Sequence, residues 1–141
     1  MPWLDKDADL ETIRSAFEGD RYATEVSGVN IEEAGYHHAV CSMEITEKHL
    51  NALGNPMGGA IFTLADFCLA VISNVGEEPT SSVSSTIEYT STAKGNKLLA
   101  RGRVVKSGRN LGFYAIDIYD DLENHVAHMI ATCHRRPADK G

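Results

Sequence analysis

The sequence predicts an α+β fold, one antiparallel β-sheet laid around a long central helix, on three observations. Residues 59–74 are apolar on nearly every side, with Ile61, Phe62, Leu64, Phe67, Leu69, Val71 and Ile72 leaving no wide polar face. A helix of that kind is covered all round. Four later runs, at about residues 81–91, 96–106, 111–119 and 125–134, alternate with period two, as strands with one face on a core do. The chain has 141 residues, 43% of them hydrophobic. That length fits a single domain over 1–141, in which only a wrapped sheet could cover such a helix.

The elements follow in order. Leu10, Ile13 and Phe17 recur at helical spacing behind Asp7 and Asp9, so a short helix is expected over about 9–18. Residues 25–46 turn to period two, with Ala39, Cys41, Met43 and Ile45 on one face and Gly35 placed for a hairpin turn. Gly54 and Pro56 make residues 47–57 an irregular connection into the helix at about 59–74. Lys94-Gly95-Asn96, Ser107-Gly108-Arg109-Asn110 and Asp120 to Asn124 have turn chemistry, so the last four strands are expected as a meander.

Composition excludes several classes. Thirteen Lys and Arg against twenty Asp and Glu give a net charge of −7, the wrong sign for a nucleic-acid coat. Cys41, Cys68 and Cys133 are odd in number and widely spaced, which argues against a disulfide framework and for a reducing, cytoplasmic setting. The acidic start Trp3-Leu4-Asp5-Lys6-Asp7 has no signal-peptide character. Asp66 interrupts the one long apolar run, so no membrane span is expected. No phosphate-cradling glycine motif and no Gly-x-Ser-x-Gly elbow occurs. His125 and His128, three apart on an expected strand, should face opposite sides, as should His37 and His38; no metal site is expected.

The chemistry concentrates in Asn51-x-x-Gly54-x-x-Met57-Gly58-Gly59, which runs directly into the apolar helix carrying Asp66. The first amides of a helix have no intrahelical acceptor and sit at its positive end, which suits a carbonyl oxygen gaining charge. A Gly-Gly pair also serves a tight turn or a close helix–sheet contact. A carboxylate midway along a buried helix is costly unless paired, neutral or used. Gly58 and Asp66 are eight residues apart, about 12 Å along one helix. Both cannot reach one carbonyl from the same chain, so a shared site requires two copies of the helix and predicts a homodimer.

The stretch Asn51-Ala52-Leu53-Gly54-Asn55-Pro56-Met57-Gly58-Gly59-Ala60-Ile61-Phe62-Thr63-Leu64-Ala65-Asp66 resembles the signature of the hotdog-fold acyl-CoA thioesterases of the phenylacetate-degradation (PaaI-like) family. Ile87 to Gly95, Val105 to Arg109 and Val126-Ala127 with Thr132 resemble its later strands. The resemblance covers about residues 45–135. It implies a dimer, often a dimer of dimers, with active sites between subunits and no cofactor beyond the coenzyme A of the substrate. It carries the carbonyl-polarising amide to Gly58, the catalytic carboxylate, as base or nucleophile, to Asp66 of the partner subunit, and the site asparagine to Asn51. A helper hydroxyl falls at Ser82, with Ser81 and Ser84 beside it. Met57 stands where the family usually has histidine, and methionine can neither donate a hydrogen bond nor carry charge. That departure implies a slower or differently selective thioesterase, or an acyl-CoA binder without turnover. A hotdog hydratase would need an Asp/His pair that the sequence does not place.

Gly59, Met57 and Phe67 are the expected wall of the acyl site. Between Glu88 and Asp117 lie six Lys and Arg and no acid, leaving −13 on the remainder. Alternation sets Lys97, Arg101 and Arg103 outside the core, away from Leu98, Ala100 and Val104. Lys106, Arg109 and Asn110 at the hairpin are the expected partners of the coenzyme A phosphates, with Arg135 and Arg136 as additions.

Overall fold

The computed structural model describes residues 3–137; residues 1–2 and 138–141 of the expected 1–141 domain lie outside them. Helix α1 (Leu10–Phe17) starts where Asp9 accepts a hydrogen bond from the Thr12 N–H at 2.8 Å, and it buries Ile13 and Phe17. A π-helical turn (Tyr22–Val26) leads to β1 (Val29–Gly35) and β2 (His38–Glu44). Helix α2 (Gly58–Asn74) follows, then β3 (Thr80–Tyr89), β4 (Lys97–Ser107), β5 (Leu111–Asp120) and β6 (His125–Arg135).

All six strands form one antiparallel sheet around α2, which touches every one of them. This is the hotdog arrangement, and the core lies between α2 and the concave face. Ile61, Leu64, Ala65, Cys68 and Ile72 of α2 meet Cys41, Met43, Leu98, Ala100, Ile116 and Met129 of the sheet, all 5% exposed or less. The aromatic series Trp3, Phe17 and Phe67, with ring centroids 5.2 and 5.8 Å apart, ties the N-terminal segment and α1 to α2. Among the described residues no helix is long and apolar enough to cross a membrane.

The strand order is β1-β2-β4-β5-β6-β3, which corrects the expected four-strand meander. β3 pairs with β6, Thr80 opposite Arg135 through Tyr89 opposite Ala127, while β4 pairs with β2. Alternation reports that a segment is a strand but not which strand lies beside it. The crossover from β3 to β4 is fixed by the β5–β6 turn instead. The N–H groups of Lys94 and Gly95 donate to Asp120, and that of Asn96 to Asp121. A Cβ on Gly95 would overlap the Asp121 carboxylate, which would have to swing away from the Asn96 N–H to make room.

Two further expectations are corrected. The β1–β2 turn is made by Tyr36 and His37, and its left-handed residue is His37 (φ 63°) rather than Gly35, which still belongs to β1. His125 and His128 share a face: the β5–β6 register shifts so that Ile118 opposes Ala127 while Tyr119 opposes His125. The extra residue turns His125 to the side of His128, and both bond Asp117 Oδ1, at 2.9 and 2.8 Å. On β4, Leu98 and Ala100 are buried and Arg101 and Arg103 exposed, as alternation requires.

Candidate active site

The α2 N-terminus is built by the loop before it. His49 is 4% exposed and pins that loop: Nδ1 accepts from the Thr46 N–H at 3.0 Å and Nε2 donates to the Ser27 carbonyl at 2.7 Å. Its carbonyl accepts the Met57 N–H at 2.7 Å. Asn51 closes the loop tip, its Oδ1 taking the N–H groups of Leu53 and Asn55 at 2.9 and 3.1 Å. Asn51 therefore shapes the loop through its oxygen and keeps its Nδ2 for other partners.

Met57 is the N-cap of α2 and offers no side-chain cap bond. Its carbonyl accepts from Ala60 and Ile61, while the N–H groups of Gly58 and Gly59 have no acceptor among the described residues. Tyr89 lies across the helix start. Its hydroxyl donates to the Gly58 carbonyl at 2.9 Å, and a Cβ on Gly58 would come within 3.1 Å of the ring. Beside Gly59 there is open space. Asn51, Gly58, Tyr89, Ser91 and Thr92 share a cavity of about 340 Å³. Glycine at position 58 thus allows the aromatic ring to close on the helix end while its amide stays free.

Asp66 lies elsewhere on α2, and its setting corrects one expectation. On the single chain it is exposed, on the strip of α2 bearing Gly59, Thr63 and Asp66 that the sheet leaves open. It lines a second cavity of about 410 Å³ with Tyr22, Phe62, Thr63, Phe67 and Asp20. These side chains strip part of its water. That partial burial, and then the negative charge of Asp20, raise its carboxyl above the ordinary carboxylate range. Gly58 and Asp66 therefore open into different cavities of one chain.

The other expected residues divide. Met57 is 56% exposed beside the Gly58 amide, and Phe67 is 3% exposed between the Asp66 cavity and Phe17. Ser82 lies on β3 opposite Cys133, next to an irregularity in the register. Its neighbour Ser81 instead lines the cavity that adjoins the Asp66 chamber at Asp20 and Ala70. Lys106, Arg109 and Asn110 are exposed at the β4–β5 hairpin, and none of them lines the Gly58 or the Asp66 cavity. Arg136 lines the Ser81 cavity, but Arg135 is withdrawn from any phosphate role. Its side chain is 8% exposed, 3.4 Å from Glu77, and it donates to the Gly108 carbonyl and the Tyr114 hydroxyl. Tyr89 and Asp20 are the residues that sequence reasoning missed. Each reaches the site through tertiary packing, and the one local hint was Gly58, whose missing side chain signals a close neighbour.

A six-stranded antiparallel sheet around a central helix is the hotdog architecture, and comparison with known proteins places the chain among the thioesterases that use it. The thioesterase superfamily model matches residues 53–127, so the chain belongs to that superfamily. A putative esterase of Deinococcus radiodurans is 32% identical over 79% of this chain and 77% of its own length. The acyl-coenzyme A thioesterase PaaI of Escherichia coli is 27% identical over 89% of each chain. Its solved structure superposes with a TM-score of 0.81 at 25% identity, covering 86% of this chain and 89% of that one. A Streptococcus mutans protein solved bound to acetyl-CoA gives 0.74 at 26% identity, over 79% and 91%.

Proposed function

We propose that the protein hydrolyses acyl-CoA thioesters at sites shared between two copies of the chain. One observation carries this reading: a helix-start amide without an acceptor at Gly58, and a carboxylate of raised pKa at Asp66 on the same helix, opening into separate cavities. Two helices side by side bring the Gly58 of one protomer to Asp66 of the partner subunit. The Gly58 N–H and the helix dipole hold the thioester oxygen as it gains charge. As base, Asp66 takes a proton from water, whose oxygen attacks the carbonyl carbon. The C–S bond then breaks, and the proton returns to the leaving thiolate. As nucleophile, the same carboxylate attacks the carbon directly and expels the thiolate as the C–S bond breaks. Water then cleaves the anhydride, which frees the acid, restores the Asp66 carboxylate and supplies the proton for the thiolate. The PaaI relative and the acetyl-CoA-bound neighbour support the substrate class.

Several observations support the remaining parts. β3 is an edge strand ten residues long and can pair with a second copy of itself. The outer sheet face exposes Val105, Phe113 and Ile130, an apolar patch suited to a dimer of dimers. Lys106, Arg109 and Asn110 receive the coenzyme A phosphates, Asn51 and Ser82 orient water or substrate, and Gly59, Met57 and Phe67 line its path. The three free, buried cysteines suit a cytoplasmic setting. Met57 favours one second reading, an acyl-CoA binder without turnover.

Thiol release from a panel of acyl-CoA thioesters tests the reading. Gly58→Pro removes the amide hydrogen at the first helical position, where proline is tolerated, behind a Met57 already extended at ψ 140°. It is expected to lower kcat about 10²–10³-fold, while Gly58→Ala, which presses the Tyr89 ring with the same Cβ but keeps the N–H, loses much less. Equal activity in both variants would dismiss the amide. Subunit exchange tests sharing. Unfolded and refolded together in equal amounts, Asp66→Asn and Gly58→Pro proteins should recover about a quarter of wild-type activity, because each heterodimer contains one intact site. No recovery despite heterodimer formation would place each site within one chain.

A further inference from the structure

We propose that Asp20 is a specificity-determining residue of the acyl chamber, turning away acyl groups that end in a carboxylate and leaving the site to uncharged ones. The inference rests on the reading of Asp66 as the reacting carboxylate. Asp20 follows α1, and its backbone is anchored: its N–H donates to the Phe17 carbonyl at 3.0 Å and its own carbonyl accepts the Thr24 N–H at 2.9 Å. Its side chain accepts no hydrogen bond among the described residues and lines the same chamber as Asp66. The rest of that chamber is largely apolar, with Tyr22, Ala23, Phe62, Phe67 and Ala70. Asp20 also lines the adjoining cavity toward Phe17, Trp3 and Ser81, so it stands at the junction through which a longer acyl group would extend.

The charges around the chamber do not cancel this carboxylate. Arg21 is its one lining cation among the described residues, and its guanidinium is 3.2 Å from Glu25. The Cys133 thiol stays neutral: burial, and then the charge of Asp66, push it up to about 11. His134 and Arg136 line the adjoining cavity, beyond the junction. A short acyl group with a terminal carboxylate would therefore bring a third negative charge beside Asp20 and Asp66. Asp20 and Asp66 are exposed on the single chain, and the repulsion grows where the partner subunit covers the chamber. An uncharged acyl group of equal length brings no charge to be repelled and packs on Tyr22, Phe62 and Phe67.

The test compares butanoyl-CoA with succinyl-CoA, which differ by the terminal carboxylate, on wild type and Asp20→Asn. The exchange keeps shape and backbone bonds and removes the charge. The preference for butanoyl-CoA in kcat/KM is expected to narrow about tenfold or more in the variant, because the lost term is a like-charge repulsion in a chamber that the partner subunit covers. The acidic limb of the butanoyl-CoA pH profile should also move to lower pH, since Asp66 loses the neighbour that helps to raise it. A purely structural role of Asp20 would move neither readout. A preference unchanged within about twofold, too small for a removed charge in the chamber, overturns the proposal. Should wild type release no thiol from either thioester, the hydrolytic reading fails, and the same preference is read from calorimetric Kd values on the same two proteins. A narrowed ratio there supports Asp20 as the discriminator, and an unchanged one overturns it.

Discussion

Asp66→Asn is expected to lower kcat for thioester hydrolysis by about 10²–10⁴-fold, the range spanned by removal of a positioned general base, with little change in KM. The amide matches the carboxylate in shape but neither takes a proton from water nor attacks a carbonyl. KM holds because the thioester oxygen is held by Gly58 and the rest of the substrate by other groups. The loss cannot be laid to unfolding. Asp66 is exposed on the single chain and accepts no hydrogen bond among the described residues. Its folded pKa is raised, so the ionised form is disfavoured by the fold and its removal leaves stability at neutral pH equal or higher. For the same reason wild-type activity should fall on acidification at a pH above the ordinary carboxylate range, as Asp66 takes up its proton. Steady-state kinetics across pH, beside a melting curve of each protein, checks all three points. Full turnover in the variant would remove Asp66 from the chemistry.

Asp120→Ala should produce the largest loss of stability, about 3 kcal/mol, since four backbone N–H groups lose one buried acceptor at once. The side chain is 1% exposed. Oδ2 accepts the N–H groups of Lys94 at 2.8 Å and Gly95 at 3.1 Å. Oδ1 accepts those of Leu122 at 3.0 Å and Asn124 at 2.9 Å, and the Asn124 amide adds a further bond. One carboxylate thus fastens the β3–β4 crossover to the β5–β6 turn. Without it the four N–H groups lose their acceptor and the crossover is no longer tied to the turn. For a chain of this length the melting temperature should drop by about 10 °C; a drop under about 2 °C would show that water replaces the carboxylate.

The pH dependence of stability has a definite sign. Burial pushes the Asp120 carboxyl up, but the bonds from Asn124, Lys94 and Gly95 outweigh it and hold the group well below its ordinary range. A depressed folded pKa contributes stability above the unfolded value of about 4 and loses it as pH falls toward the folded value. Urea midpoints of wild type should therefore decline steeply below about pH 4, and those of the alanine variant less so.

The residues of the proposed site stand out locally. Gly58, Gly59 and Asp66 stand out because unusual residues interrupt an otherwise apolar helix, and the resemblance gave them roles. The accessible face of Asp66 was not legible. Residues 59–74 read as apolar all round, but a helix in the groove of a sheet touches it over part of its circumference only. The strip bearing Gly59, Thr63 and Asp66 stays open. The shared face of His125 and His128 was hidden by one extra residue in β6, which reverses the parity on which alternation depends. Arg135 looked like a free cation because its partners, Glu77, Gly108 and Tyr114, lie at least 21 residues away in sequence.

The sequence by itself determined that six strands and a central apolar helix would form, about where the helices and the last four strands lie, and which helix carries Gly58 and Asp66. Those properties follow from period, turn chemistry and capping, which act over a few residues. Tertiary structure alone decided that β3 crosses to pair with β6, that Tyr89 closes over Gly58, that Asp20 stands beside Asp66, and that Asp120 holds the crossover in place. Each of these joins positions far apart in the chain or on separate elements. Such pairings are selected by burial and hydrogen bonding summed over the whole fold, which no short window of residues contains.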